Sequence, residues 1–257
     1  MPYTAAFTAD PPDFARRYSI LVVEPPDIKN GLTIHTGQNN VLAPILCEFS
    51  IGPFVGSLTE RTCNIHTNGA PPTAEDCYFL PWEPDAATTM TIGALADYFF
   101  TSTLSGCTVQ INGPANAPTI THGNRKTTFT THGQATAQAE IDNLLPAVGG
   151  GHTSKAVRAA DYRALCNKRN LKAAKSAFPT PDGYHISKFK PKEESGGRVE
   201  GGAFVFGKRN TGTGDWTFWY QAVVGITGSM KKGYFGDTKK QPISNEVVLG
   251  HAVQLFP

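Results

Sequence analysis

Long hydrophobic runs are missing from this 257-residue chain, and no stretch approaches the ~20 apolar residues that cross a bilayer as a helix. Met1 to Arg17 also lack the basic start and apolar core of an export signal, so the expectation is a soluble protein without a membrane span. Charge is sparse and nearly balanced, 23 Lys and Arg against 21 Asp and Glu for a net +2, and gives no reason to expect a nucleic-acid partner. The five cysteines are odd in number and show no Cys-x-x-Cys spacing, so neither a complete disulfide framework nor a zinc ribbon is indicated. Cys63 and Cys77 flank a Gly-Ala-Pro-Pro loop and would bridge only in an oxidising compartment; in a reducing cytosol they are free thiols. His35, His66, His152, His185 and His251 are scattered without paired metal-ligand spacing, and no lysine follows Gly149-Gly150-Gly151 at Walker spacing. No metal and no organic cofactor is expected.

What the chain has in quantity is turn chemistry, 26 glycines and 19 prolines, separating short β-branched and aromatic runs. That profile predicts an α/β (α+β) protein, a mostly antiparallel β-sandwich flanked by helices, built as one domain over 1–257. Strands are expected over Tyr18–Glu24, Gly31–Thr36, Val41–Ile51 with a break at Pro44, and Cys77–Trp82. Three more follow at Ala203–Lys208, Trp216–Thr227 and Glu246–Phe256. Trp216–Val224 is the most apolar of these and reads as a central strand. Asp85 is placed to cap a helix whose Ile92, Leu95, Ala96 and Phe99 share one face.

The stretch Thr101–His122 carries the chemistry. Cys107, Val109 and Ile111 alternate with polar residues, Gly113-Pro114-Ala115-Asn116 is a turn, and Ile120 and His122 alternate again, which together spell a β-hairpin. With those four residues as the loop, Cys107 faces His122, and directly opposed side chains lie about 4.5–5.5 Å apart at Cβ. An imidazole beside a thiol favours the thiolate, which is the nucleophile. Gly106 permits a sharp approach to the strand and lets the backbone N–H groups of Gly106 and Cys107 point at a developing oxyanion. A cysteine and histidine that merely pack together fit the same pattern.

Leu104-Ser105-Gly106-Cys107, with Thr101 six positions before the cysteine and His122 ending the next strand, resembles the bacterial cysteine-dependent glutamine deamidases. That superfamily includes the catalytic domain of cytotoxic necrotizing factor, Burkholderia lethal factor and the chemoreceptor deamidase CheD. The likeness covers about two dozen residues. It implies Cys107 as nucleophile, His122 as base and Thr101 as a residue that helps orient the histidine. It also implies a protein substrate carrying a reactive glutamine, a host GTPase or translation factor among the relatives' targets. A bacterial toxin or effector, delivered to host cytosol without a classical signal peptide, would follow. A transglutaminase or another cysteine hydrolase would share the acyl-enzyme, and a non-enzymatic β-sandwich binding module would use neither residue.

Two further features are in play. Thr121-His122-Gly123-Asn124 is echoed by Thr131-His132-Gly133-Gln134, which offers His132, between a threonine-rich strand and a helix over Ala135–Leu145, as a rival base. After a joint at Pro146–Gly151, Ser154–Ala177 reads as a long basic helix bearing Lys168, Arg169, Lys172 and Lys175, either a solvated face or a docking surface for an acidic partner. Lys188–Gly202 reads as a charged loop.

Overall fold

Asp10 starts the second of two short helices, α1 (Pro2–Ala9) and α2 (Pro11–Arg17). Its carboxylate accepts the Asp13 N–H at 2.9 Å, and Pro11 and Pro12 occupy the first turn, where a missing N–H removes no intrahelical bond. The computed structural model describes residues 2–24, 28, 39–53, 60–146, 154–165, 198–232, 239–248 and 252–257.

The strands that follow are β1 (Ser19–Val23), β2 (Asn39–Leu42), β3 (Leu46–Pro53), β4 (Glu60–His66), β5 (Glu75–Leu80), β6 (Ala87–Thr91), β7 (Tyr98–Thr101), β8 (Thr108–Asn112) and β9 (Thr119–Gly123). Helices α3 (Lys126–His132) and α4 (Gln134–Leu144) lead to β10 (Ser154–Val157) and α5 (Ala159–Leu165). The chain closes with β11 (Arg198–Arg209), β12 (Trp216–Lys232), β13 (Lys239–Val248) and β14 (Val253–Phe256). They form a nine-stranded sheet, ordered β1-β4-β3-β5-β7-β11-β12-β13 with β14 also on β12, and a five-stranded sheet ordered β10-β8-β9-β6-β2. Among the described residues parallel pairing is confined to β1/β4, β2/β6 and β5/β7. The fold is therefore α+β and sheet-rich.

Period-2 alternation splits the large sheet between two cores. Tyr78 and Leu80 of β5, Phe99 of β7, Ala203 and Val205 of β11, and Trp216 and Phe218 of β12 face the small sheet, meeting Met90, Val109, Ile111 and Ile120. Their neighbours Cys77, Phe79, Phe100, Phe204 and Phe206 point the other way, under Phe7 of α1 and Phe14 of α2. Burying one such apolar side chain is worth roughly 1.5–3 kcal/mol. A sheet covered on both faces explains why Tyr98-Phe99-Phe100 and Phe218-Trp219-Tyr220 read as continuous apolar runs. β12 lies between β11 and β13, an interior place that agrees with its sequence.

Several expectations are corrected. The helix capped by Asp85 is instead two strands, β6 and β7. Ala87–Thr91 is rich in β-branched threonine, Gly93 interrupts the helical period, and Leu95, meant for the buried face, is 70% exposed. The threonine-rich strand before His132 is helix α3, whose Thr130 and Thr131 hydroxyls donate to the carbonyls of Lys126 and Thr127 four residues back. The long basic helix begins as strand: Ser154–Val157 pairs with β8, and among the described residues of that stretch Ala159–Leu165 is helical. Lys168, Arg169, Lys172 and Lys175 lie outside the described residues, as does the Gly31–Thr36 strand; of the expected Lys188–Gly202 loop the described part, 198–202, is strand and opens β11. Cys63 and Cys77 are free, buried thiols on β4 and β5. Among the described residues no helix is long and apolar enough to cross a membrane.

Candidate functional site

β7 belongs to the large sheet and β8 to the small one, so residues 102–107 must carry the chain across the sandwich. The crossing is pinned at each step. The Ser102 N–H donates to the Leu80 carbonyl at 3.1 Å while its hydroxyl accepts the Trp82 N–H at 3.1 Å. Leu104 exchanges backbone hydrogen bonds with Ala203 of β11 at 2.6 and 3.0 Å. Gly106 then turns with φ of +114°, a conformation that favours a residue without Cβ, and delivers Cys107 to the head of β8.

The hairpin forms, but its register differs by two residues from the one the turn suggested. Val109, not Cys107, is paired with His122, and Asn112 with Thr119. Pro118 accounts for the shift: it has no N–H to give the ladder, so pairing starts at Thr119 and the loop becomes 113–118. The Ala117 N–H closes on Pro114 O at 3.1 Å, and the Trp216 N–H fastens the loop to β12 through Ala115 O at 2.8 Å. A two-residue shift preserves the face. Cys107, Val109, Ile120 and His122 all remain turned toward the inter-sheet core, with His122 diagonal to Cys107 and Thr88 of β6 on its other side.

The position opposite Cys107 falls to Asn124, just past β9. Its Nδ2 donates to the Cys107 Sγ at 2.8 Å, and its Oδ1 accepts the N–H groups of Lys126 at 2.8 Å and Asp85 at 3.4 Å. Asp85 has φ of +57° and turns its carboxylate to the first turn of α3, accepting the Thr127 N–H at 2.8 Å and the Thr127 hydroxyl at 2.6 Å. Asp85 thus caps no helix of its own and instead ties its loop to the first turn of α3.

His122 is fully buried, and neither ring nitrogen has a hydrogen-bond partner among the described residues. Burial pushes its pKa down to about 3, so the imidazole rests neutral. His132, the rival base, is exposed on α3 with Nδ1 2.6 Å from the Thr131 hydroxyl. Thr101 ends β7 and does not address the histidine: its Oγ1 accepts the Val205 N–H at 3.1 Å, holding β7 to β11 where the crossing begins. The Gly106 N–H, expected to face an oxyanion, donates to the hydroxyl of Tyr162 on α5 at 2.6 Å, and that hydroxyl reaches the Cys107 carbonyl at 3.4 Å. Burial pushes the Cys63 and Cys77 thiols up, which leaves them protonated and inert at neutral pH.

The structure thus brings Cys107, His122 and Gly106 to one end of the inter-sheet core and adds Asn124 and Tyr162, which sequence reasoning missed. Asn124 carried a signal, since it continues the Ile120, His122 alternation; Tyr162 carried none, because its approach depends on α5 packing back against the large sheet. Among the described residues no group of three His, Cys, Asp or Glu side chains could hold a metal. The chain matches no protein-family model and no curated protein.

Proposed function

We propose that this chain is a cysteine-dependent protein-glutamine deamidase with Cys107 as nucleophile and His122 as proton carrier. The observation that carries the proposal is the placing of Cys107 at the head of β8 and of His122 on the adjacent β9, with side chains on one face and a neutral imidazole whose nitrogens have no hydrogen-bond partner among the described residues. The Cys107 sulfur adds to the carboxamide carbon of a substrate glutamine, its proton passing to His122. Backbone N–H groups at Gly106 and Cys107 steady the oxyanion once the Tyr162 hydroxyl has withdrawn. The C–N bond then breaks, His122 returns the proton to the departing ammonia, and a thioester remains. Water opens the thioester, yielding glutamate and the free thiol, for a net exchange of amide and water for acid and ammonia. Thr101 supports the site by anchoring the start of the crossing to Val205. The Leu-Ser-Gly-Cys resemblance extends the proposal to a bacterial effector whose target is a host GTPase or translation factor.

A second reading rests on burial. Cys107 is 2% exposed and His122 0%, which suits a binding module in which the two merely pack. The test is to expose host and bacterial lysates to wild type and to Cys107→Ser and to map new glutamates by mass spectrometry. Glutamine-to-glutamate conversion that depends on Cys107 supports the deamidase. Amine adducts at glutamine would make the chain a transglutaminase, and no change in any protein would leave the binding module.

A further inference from the structure

We propose that Asn124 is a catalytic residue that stabilises the Cys107 thiolate, as the thiol proton leaves, through the 2.8 Å hydrogen bond from its side-chain amide. The inference deepens the deamidase reading, because it takes Cys107 as the nucleophile.

The Asn124 amide has one possible orientation. An Asn side chain has one acceptor and one double donor, and which end points where is decided by its partners. Here the oxygen is fixed by two backbone N–H groups, those of Lys126 and Asp85, which can only donate. Reversing the amide would set its NH2 against both of them. The NH2 is therefore the end that meets the sulfur, and a donor aimed at sulfur favours the anionic over the protonated form. The backbone enforces the same arrangement, since the Asn124 N–H donates to Ala86 O at 2.9 Å and continues the β6/β9 pairing by one step.

Asn124 supplies the donor to the sulfur, and His122 the site for its proton. His122 is diagonal to the sulfur rather than opposite it, and burial keeps it uncharged. From α5, Tyr162 offers a hydroxyl already bonded at Gly106, and Asp161 beside it is exposed and accepts the Arg158 N–H. At the start of α3, the carboxylate of Asp85 is turned to Thr127 and the guanidinium of Arg125 to Asp85 O and Glu140. Asp161, Asp85 and Arg125 are each directed elsewhere, while the amide is built in with both ends occupied. Its side chain is also 7% exposed, too buried to be a solvent-facing residue that happens to touch the thiol.

Asn124→Asp keeps the oxygen that receives the Lys126 and Asp85 N–H groups, removes the donor to sulfur and adds a negative charge beside it, so it is read together with the uncharged Asn124→Ser. Thiolate formation is followed by far-ultraviolet absorbance across pH, with Cys107→Ser subtracted so that the signal belongs to Cys107. The expected result is a Cys107 titration displaced upward by at least one pH unit in Asn124→Asp, with a fall in thiolate at neutral pH of about tenfold. Asn124→Ser, which adds no charge and lacks the amide donor, should shift the same way, and that shift assigns the effect to the lost hydrogen bond rather than to repulsion. A titration unchanged in a folded variant overturns the proposal. The measurement needs no substrate, so the two ideas fail separately: an Asn124-dependent thiolate without any deamidated protein would sink the deamidase alone. Deamidation that persists with an unmoved titration would sink Asn124 alone.

Discussion

The Tyr162 hydroxyl accepts the Gly106 N–H at 2.6 Å, filling the place where an oxyanion would be received. A seven-residue helix is thereby tied to the turn that presents the nucleophile, and the tie involves a group a substrate would need. Tyr162→Phe removes only the hydroxyl. It leaves a buried N–H without its partner, so stability should fall by about 1–3 kcal/mol in urea unfolding. At the same time Cys107 should be alkylated faster, because α5 separates from the turn more readily. Unchanged stability together with unchanged labelling would mean that the Tyr162 contact does not guard the site.

Acid should unfold this protein in part through His122. The unfolded imidazole binds a proton below about pH 6.5, whereas the folded one does not until about pH 3. A depressed folded pKa means stability is fully present above 6.5 and is lost as pH falls through that window, by up to about 1.4 kcal/mol per pH unit. His122→Gln, which cannot titrate, should flatten the dependence of unfolding free energy on pH by close to one proton between those limits. Equal slopes in the two proteins would show that His122 is not held neutral by burial.

Gly123 is where α4 comes closest to β9. A Cβ added there would lie 2.9 Å from Ile141 Cγ2 and 3.5 Å from Leu145 Cδ2, so Gly123→Ala should cost about 1–3 kcal/mol by overpacking. Ile141→Leu removes the branch at Cβ that causes the clash, and the double variant should be more stable than the sum of the two single losses. Strict additivity, read from thermal unfolding, would place the strain elsewhere. Because Gly123 lies between His122 and Asn124, the same pair tests how tightly the site is tied to α4.

The two-sheet core was legible where one period persisted long enough. Phe204 and Phe206 against Ala203 and Val205, or Cys77 and Phe79 against Tyr78 and Leu80, alternate cleanly and fall on opposite faces as written. The hairpin was legible in kind and face but not in register, because a Gly-Pro start suggests the shortest turn while Pro118 delays pairing by two residues. Between Asp85 and Phe99 the helical spacing of Ile92, Leu95, Ala96 and Phe99 was a coincidence of two strands, Ile92 entering the core after β6 and Phe99 from β7. Local pattern could not report that, since parallel pairing of β5 with β7 settles it. The small sheet's edge was hidden for a related reason: Ser154–Val157 has too few residues to show alternation and becomes strand by pairing with β8. At the site, Cys107 and His122 could be singled out from chemistry alone, whereas Asn124 needed the true register and Tyr162 the docking of α5.

Whether Cys107 is an activated nucleophile is tested most directly by competitive alkylation. In a Cys166→Ser background the comparison is among four buried thiols, Cys47, Cys63, Cys77 and Cys107, none more than 6% exposed, so accessibility gives Cys107 no advantage. Trace iodoacetamide near neutral pH, with site-resolved mass spectrometry, should label Cys107 at least tenfold faster than the others, and His122→Ala should slow that site alone. Equal rates at the four cysteines, or a Cys107 rate indifferent to His122, would contradict the account and leave the pair as packing in the sandwich core.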